Sequence, residues 1–399
     1  MHLSKEAKNA IYLGSVCSFA YFVVYIIRNV FSTVNPQMIS EGLFGIELVG
    51  TISSIFFVAY AVGQLINGII GDIIKAKYMI CGGLVLSGVA NLLFGLNPSN
   101  MIIAYVTNAL CAFFLSMIYA PMVKVIADST SSSHAVRCVT GLSLASFIAS
   151  PVTGVLAATF NWKTVFVLSS AMIILSGVGS YIVFTVFEKN GIAKYNVIEK
   201  QQKEKGNIKL LFKHQIVRYT FVSILTGVIR TAVVFWLPTY LSEYLGFNQQ
   251  SASLIFSGAT LIISLSAFLA LFVYERLNRN MNLSTLIFFI ISAVSFLGVY
   301  FVKQPILNII LMIMAILMSN SAASILWSIY CPSLTETKMV SSATGFLDFV
   351  SYMAAAISSK VFADSVSQIG WGNLILVWFV LMAIGVIVTI SFKKTKAVS

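Results

Sequence analysis

Two arginines stand where a cation is expensive. Arg28 and Arg230 lie inside long apolar stretches, and each opens the same short pattern. Ile27-Arg28 is followed by Pro36, Ile39-Ser40-Glu41 and Leu43. Ile229-Arg230 is followed by Pro238, Leu241-Ser242-Glu243 and Leu245. In both copies the proline comes eight residues after the arginine, and the copies are about half a chain apart. A charged side chain at the centre of a membrane span costs about 2.5–3.5 kcal/mol on insertion scales, so it is read first as a functional group. An arginine that merely snorkels to the headgroups sits near a helix end, and these two do not. A guanidinium keeps its charge and presents a planar fork of donors that matches phosphate or carboxylate oxygens. Two forks at repeat-equivalent positions predict a pair that faces one anion.

Groups able to complete such a site recur at helical spacing. Tyr21, Tyr25 and Arg28 fall on one helix face at i, i+4, i+7. Tyr60 and Gln64 are four apart in the next apolar stretch, with Asn67 beyond. Asp348 is the carboxylate deep in an apolar run, four residues before Tyr352. It is expected to act as a counter-ion to an arginine, a proton carrier or a reader of substrate hydroxyls. Ser319-Asn320-Ser321, Ser324 and Ser328 make one late stretch unusually polar around Trp327. Tyr240 and Tyr244, after the second arginine, are expected in the interfacial aromatic belt.

These residues need long helices in lipid to position them. The chain of 399 residues is 58% hydrophobic and 10% charged, where a soluble domain carries about 25% charged residues. The apolar runs are about 20 residues long, enough to cross about 30 Å of hydrocarbon as helices. They do not alternate as barrel strands would. The reading is an all-α membrane protein with twelve transmembrane helices, at about 11–35, 45–71, 79–97, 101–125, 138–160, 163–187, 215–242, 251–274, 281–301, 305–330, 339–363 and 371–392. A polar stretch separates two pseudo-symmetric six-helix halves. The expected organisation is 1–187, a cytoplasmic linker 188–213, and 214–399.

Charge gives the orientation. With the N-terminus inside, twenty of the 25 Lys and Arg fall on the inner side. Lys163, Lys303 and Lys360 lie near the outer side, and Arg28 and Arg230 lie within spans. The positive-inside rule then puts both termini in the cytoplasm of a cell whose inner (plasma) membrane holds the protein. The net charge of +12 is therefore an insertion signal and not a nucleic-acid footprint. The five cysteines are scattered singly, and the three histidines fall in polar loops. No metal-ligand spacing and no nucleophile–base pair stands out, so neither a cofactor nor an enzyme is expected. The expected partners are the lipid bilayer and a small anionic substrate, with the protein a monomer.

Between the second and third spans runs Gly63-Gln64-Leu65-Ile66-Asn67-Gly68-Ile69-Ile70-Gly71-Asp72, then Lys75 and Lys77. This resembles the loop motif of the major facilitator superfamily, and the parallel 6 + 6 repeat resembles its fold. Gly63, Gly68 and Gly71 are expected to let helices approach closely. Gly68 and Asp72 are the expected gating positions.

Tyr25-Ile26-Ile27-Arg28 and the sequence from Arg230 to Trp236-Leu237-Pro238-Thr239-Tyr240-Leu241 are similar to one branch, the organophosphate:phosphate antiporters. The resemblance implies that Arg28 and Arg230 bind phosphate, that Tyr21, Tyr25, Tyr60 and Tyr352 line the site, and that the halves rock to alternate access. Where the glycerol-3-phosphate type has lysines, this chain has Asn29 and Gln64. It has Phe235 where that type has an acid before the tryptophan, and no histidine between Ser143 and Pro151. The implied activity is secondary transport of a phosphorylated or other organic anion, by phosphate exchange or with proton coupling. A sugar-acid symporter and a non-transporting sugar-phosphate sensor are the alternatives.

Overall fold

In the computed structural model the described residues are 4–70, 74–195, 208–337 and 339–390. They are almost wholly helical. Helices α1 (Lys5–Ser40), α2 (Ile46–Ile70), α3 (Ala76–Leu96), α4 (Met101–Ser129), α5 (Ser132–Thr159) and α6 (Trp162–Lys189) make the first half. Helices α7 (Ile216–Tyr244), α8 (Gln249–Arg276), α9 (Met281–Phe301) and α10 (Pro305–Ser333) follow. The last helical segment, Val340–Ile390, is bent where Gly370 takes φ 76° and ψ 166°, a backbone conformation that glycine tolerates. Its arms are α11 (340–369) and α12 (371–390), each long enough to span a bilayer. Eleven segments among the described residues are apolar and long enough to cross a membrane, and the eleventh holds both arms. The protein is thus a multi-pass membrane protein, and the expected spans fall within these helices or a few residues of their ends.

Helix starts are written locally. Asn100, Asn161 and Asn280 each accept the backbone N–H three residues on, at 3.2, 2.9 and 3.0 Å. Gln304 does the same for Leu307 and is followed by Pro305, which has no N–H to leave unpaired. These are N-cap arrangements that satisfy the open first turn. In the bilayer the helices' outward Leu, Ile, Val and Phe side chains remain exposed, as a lipid-facing surface requires.

The chain packs as two compact units. One comprises Met1–Gln202 with Leu241–Leu261, the other Lys203–Tyr240 with Ile262–Ser399. The end of α7 and the first part of α8 therefore pack with α1–α6. Within that first unit the Gln249 amide donates to Ser40 Oγ and to the Pro36 carbonyl at 3.3 Å. Ser257 donates to the Pro151 carbonyl at 2.9 Å. The Ser-Glu ends of both motif copies, Ser40 and Ser242-Glu243, line one cleft of about 590 Å³ there.

The beginning of the expected linker is docked. Glu188 pairs with Lys75 at 3.1 Å and with Lys77. The Lys194 N–H donates to Ser129 Oγ at 2.9 Å, and Tyr195 is half-buried with burial pushing its phenol pKa up. Residues 196–207 lie outside the described residues.

Candidate functional site

In the first unit Arg28 lies near the middle of α1, half-buried. Its guanidinium carbon is 5.3 Å from the centre of the Tyr25 ring and 5.0 Å from that of Tyr60 on α2. Both distances suit cation–π attraction, which strengthens as water is removed. Tyr25 meets Tyr21 edge-on at 5.1 Å, and Tyr21 packs on Tyr119 of α4 at 5.3 Å. Tyr21 is only 8% exposed, so it backs Tyr25 where Tyr25 backs the cation. Gln64 is half-buried one turn beyond Tyr60. Asn29 is committed to structure: its amide donates to Ser150 of α5 at 3.0 Å and to the Tyr25 carbonyl.

The loop-motif residues divide. Gly63 makes the close approach expected of it, since a Cβ there would lie 2.3 Å from Ser116 Oγ of α4. Asn67 strengthens that seam by donating to Ser116 Oγ at 2.7 Å. Gly68 does not: it sits on an exposed face, and a Cβ would meet nothing within 4 Å. Gly71 and Asp72 lie outside the described residues.

In the second unit Arg230 lies midway along α7. Asp348 Oδ1 is 3.9 Å from its Nη2, within ion-pair range but too far for a hydrogen bond. Nη2 is buried and makes no hydrogen bond among the described residues. The guanidinium lies 6.0 Å from the Tyr352 ring centre and 5.7 Å from that of Trp327 on α10. The unit thus gathers Arg230, Asp348, Tyr352 and Trp327 from three helices. Gly227 makes this convergence feasible. A Cβ there would lie 2.2 Å from Ser351 Oγ and 2.9 Å from the Ser351 carbonyl oxygen, so α7 and α11 touch one turn from the ion pair. Ser223 extends the seam by donating to the Leu347 carbonyl at 2.7 Å.

Sequence reasoning missed the local helix geometry. Arg230 lies in a π-helical turn, Val228–Val233, and Trp327 in another, Leu326–Tyr330. Single π turns re-aim side chains and recur at functional sites. Pro238 and Pro332, which lack an N–H, are the sequence signal for opened turns nearby. The aromatic-belt expectation fails for Tyr240. It is fully buried, donates to Asn308 Oδ1 at 2.5 Å, and packs edge-on to Trp371 at 5.6 Å and Trp378 at 6.4 Å. A polar partner on α10 holds the phenol inside the unit, where headgroups had been expected to hold it at the surface.

The described residues form membrane-spanning helices that carry one guanidinium within α1 and another midway along α7. The chain belongs to the Major Facilitator Superfamily, whose profile matches residues 17–359. That superfamily is one of transporters rather than enzymes.

Similar curated proteins include the membrane sensor protein UhpC of Escherichia coli, 22% identical over 58% of this chain and 57% of that protein. The glycerol-3-phosphate transporter of Bacillus subtilis is 24% identical over 62% of this chain and 60% of its own. A 50-residue stretch is 46% identical to the glucose-6-phosphate exchanger SLC37A2 of Mus musculus, over 12% of this chain and 10% of that one. The matches to the first two span under two thirds of the relatives' length. These relatives place the resemblance in the organophosphate:phosphate antiporter branch. Among solved structures, a bacterial homologue of the human lysosomal transporter Spinster superimposes with a TM-score of 0.80 at 12% identity, over 97% of both chains. The nucleoside transporter NupG gives 0.76 at 14% identity, over 96% of this chain and 100% of that one. Those two likenesses concern the fold.

Proposed function

We propose that the protein is a secondary transporter of a small phosphorylated anion, and that Arg28 and Arg230 are its phosphate-binding residues. The observation that carries the proposal is Arg230 itself. It is a half-buried guanidinium in mid-span whose buried Nη2 has no hydrogen-bond partner among the described residues, with a carboxylate 3.9 Å away. A phosphoryl oxygen would supply the strong acceptor that Asp348 does not. Arg28, held over Tyr25 and Tyr60, is the repeat-related cation. A phosphate ester carries about −1.5 to −2 charges at neutral pH, which two guanidiniums nearly balance.

In this reading the substrate anion displaces Asp348 from Arg230, and the carboxylate is released to a substrate hydroxyl or to a proton. The protein carries the anion by alternating access, by exchange with inorganic phosphate or with proton coupling. Tyr21, Tyr25, Tyr60, Gln64, Tyr352 and Trp327 shape the site, and Gly68 and Asp72 belong to the gating loop. The protein sits in the inner membrane with both termini cytoplasmic, as two six-helix halves joined by a cytoplasmic linker. The similarity to a glycerol-3-phosphate transporter supports the phosphorylated substrate. A second reading, a sensor of sugar phosphate, is favoured by the similarity to UhpC.

Reconstitution into liposomes loaded with phosphate tests both. Uptake of labelled glycerol-3-phosphate or hexose-6-phosphate that needs internal phosphate supports exchange. Uptake driven by a proton gradient supports coupling. Saturable binding of the ester without uptake supports the sensor, and response only to sugar acids overturns phosphate recognition.

A further inference from the structure

Between the starts of α1 and α5 the first unit carries a groove of about 510 Å³. Small residues make room for it: Ala7, Ala10 and Gly14 on α1, Gly141 and Ala145 on α5. Its deeper end is bounded by Leu144 and Ile148, and most of its wall is apolar. Its mouth is basic. Arg137 and His134 stand there, in the first two turns of α5. Arg137 is exposed, and no acidic side chain pairs with it among the described residues. The carboxylate at this end is Glu6, whose Oε1 is 3.8 Å from His134 Nδ1 and which is largely exposed. Ser131, the N-cap of α5, does not cap its helix. Its hydroxyl pairs with His134 Nδ1 at 2.8 Å, which leaves the first turn of α5 without a cap from that side chain.

A cavity of this form does not suit a phosphorylated metabolite, whose polar body would lie against apolar walls. It suits an amphiphile. From Arg137 to Ile148 a helix rises about 16 Å, close to the reach of one extended acyl chain. Basic pockets between membrane helices at the cytoplasmic surface bind anionic lipid headgroups. We propose that this groove holds an acyl chain of an anionic phospholipid, with its headgroup phosphate on Arg137. The lipid would then brace α1, the helix that carries Arg28, against α5.

The test uses the full chain purified in detergent, with Tm read against added dioleoylphosphatidylglycerol or dioleoylphosphatidylcholine. The anionic lipid is expected to raise Tm by about 3–5 °C more than the zwitterionic one, because a ligand of the folded state alone stabilises it. Arg137→Gln should remove that difference and Arg137→Lys should keep it. Ala145→Phe, which fills the groove, should abolish the response to both lipids. Equal responses to the two lipids in the wild type overturn the proposal. So does an undiminished response in either Arg137→Gln or Ala145→Phe. Stabilisation by soluble glycerol-3-phosphate that depends on Arg137 also overturns it, and would make the groove a path for the transported anion.

Discussion

The fork of donors, rather than charge alone, distinguishes Arg28 and Arg230 from other cations. Lysine at either position keeps the charge and loses bidentate bonding. A charge-assisted hydrogen bond is worth about 1.5–3 kcal/mol, so Arg28→Lys or Arg230→Lys should cut phosphate-ester uptake about 10²-fold while the protein still inserts. Initial uptake rates at equal protein per liposome check this. In the proposed mechanism Asp348, 3.9 Å from Arg230 Nη2, competes with the anion for that guanidinium. Asp348→Asn should therefore tighten inorganic phosphate binding, measured by calorimetry, and slow turnover of the carrier. Weakened phosphate binding would instead make Asp348 a substrate contact. Tyr240 belongs to the same scale because one hydrogen bond decides its place. Tyr240→Phe leaves the Asn308 side-chain oxygen without its donor in a buried setting and should cost about 1–3 kcal/mol, read as a lower Tm. A belt tyrosine would tolerate the change.

Among the elements, α7 and α11 are coupled by contact at Gly227. The Cβ that alanine would add there lies 2.2 Å from Ser351 Oγ and 3.0 Å from the Ser351 Cα. Gly227→Ala should push the helices apart and destabilise by about 1–3 kcal/mol. It should also weaken anion binding, since Arg230 and Asp348 flank the same seam. Adding Ser351→Ala removes the nearest clash but not the backbone one, so it should restore part of the stability. Thermal unfolding of the single and double variants gives the answer. The π-helical turns at Val228–Val233 and Leu326–Tyr330 act at the same scale. Each carries one of the two side chains, Arg230 and Trp327, that meet 5.7 Å apart at the site.

For the whole molecule, the distribution of positive charge predicts which side each loop faces. Glu47 and Glu275 are exposed at helix ends. A membrane-impermeant thiol reagent applied to intact cells should label Glu47→Cys and spare Glu275→Cys, with the reverse in inside-out vesicles. The five native cysteines are buried and free, so their background labelling should be low. Labelling of Glu275→Cys from outside would invert the orientation and with it the cytoplasmic linker. Leu241–Leu261 packs with the first unit. The Gln249 amide, bonded to Ser40 and Pro36, is one tie that holds this segment there.

The amino-acid sequence alone determined the helical membrane spans and the two cations. Hydrocarbon length, the cost of a charge in lipid and the repeat of Arg28 in Arg230 are one-dimensional signals. The family resemblance rested on the same motif and holds at the level of the superfamily. Only the tertiary structure decided which polar groups meet. Asn67 reads as a group beside the site, and Asn29 as a replacement for a lysine, yet they donate to Ser116 and Ser150 on other helices, because a buried amide must find acceptors where the packing puts them. Tyr240 moved from surface to core for the same reason. Gly63 and Gly68 look alike in the motif, and only the position of α4 makes one a contact and leaves the other open. Helical spacing put Asp348 and Tyr352 on one face, and Trp327, in a π turn that no hydrophobic period reports, joins them at Arg230 only through packing between helices.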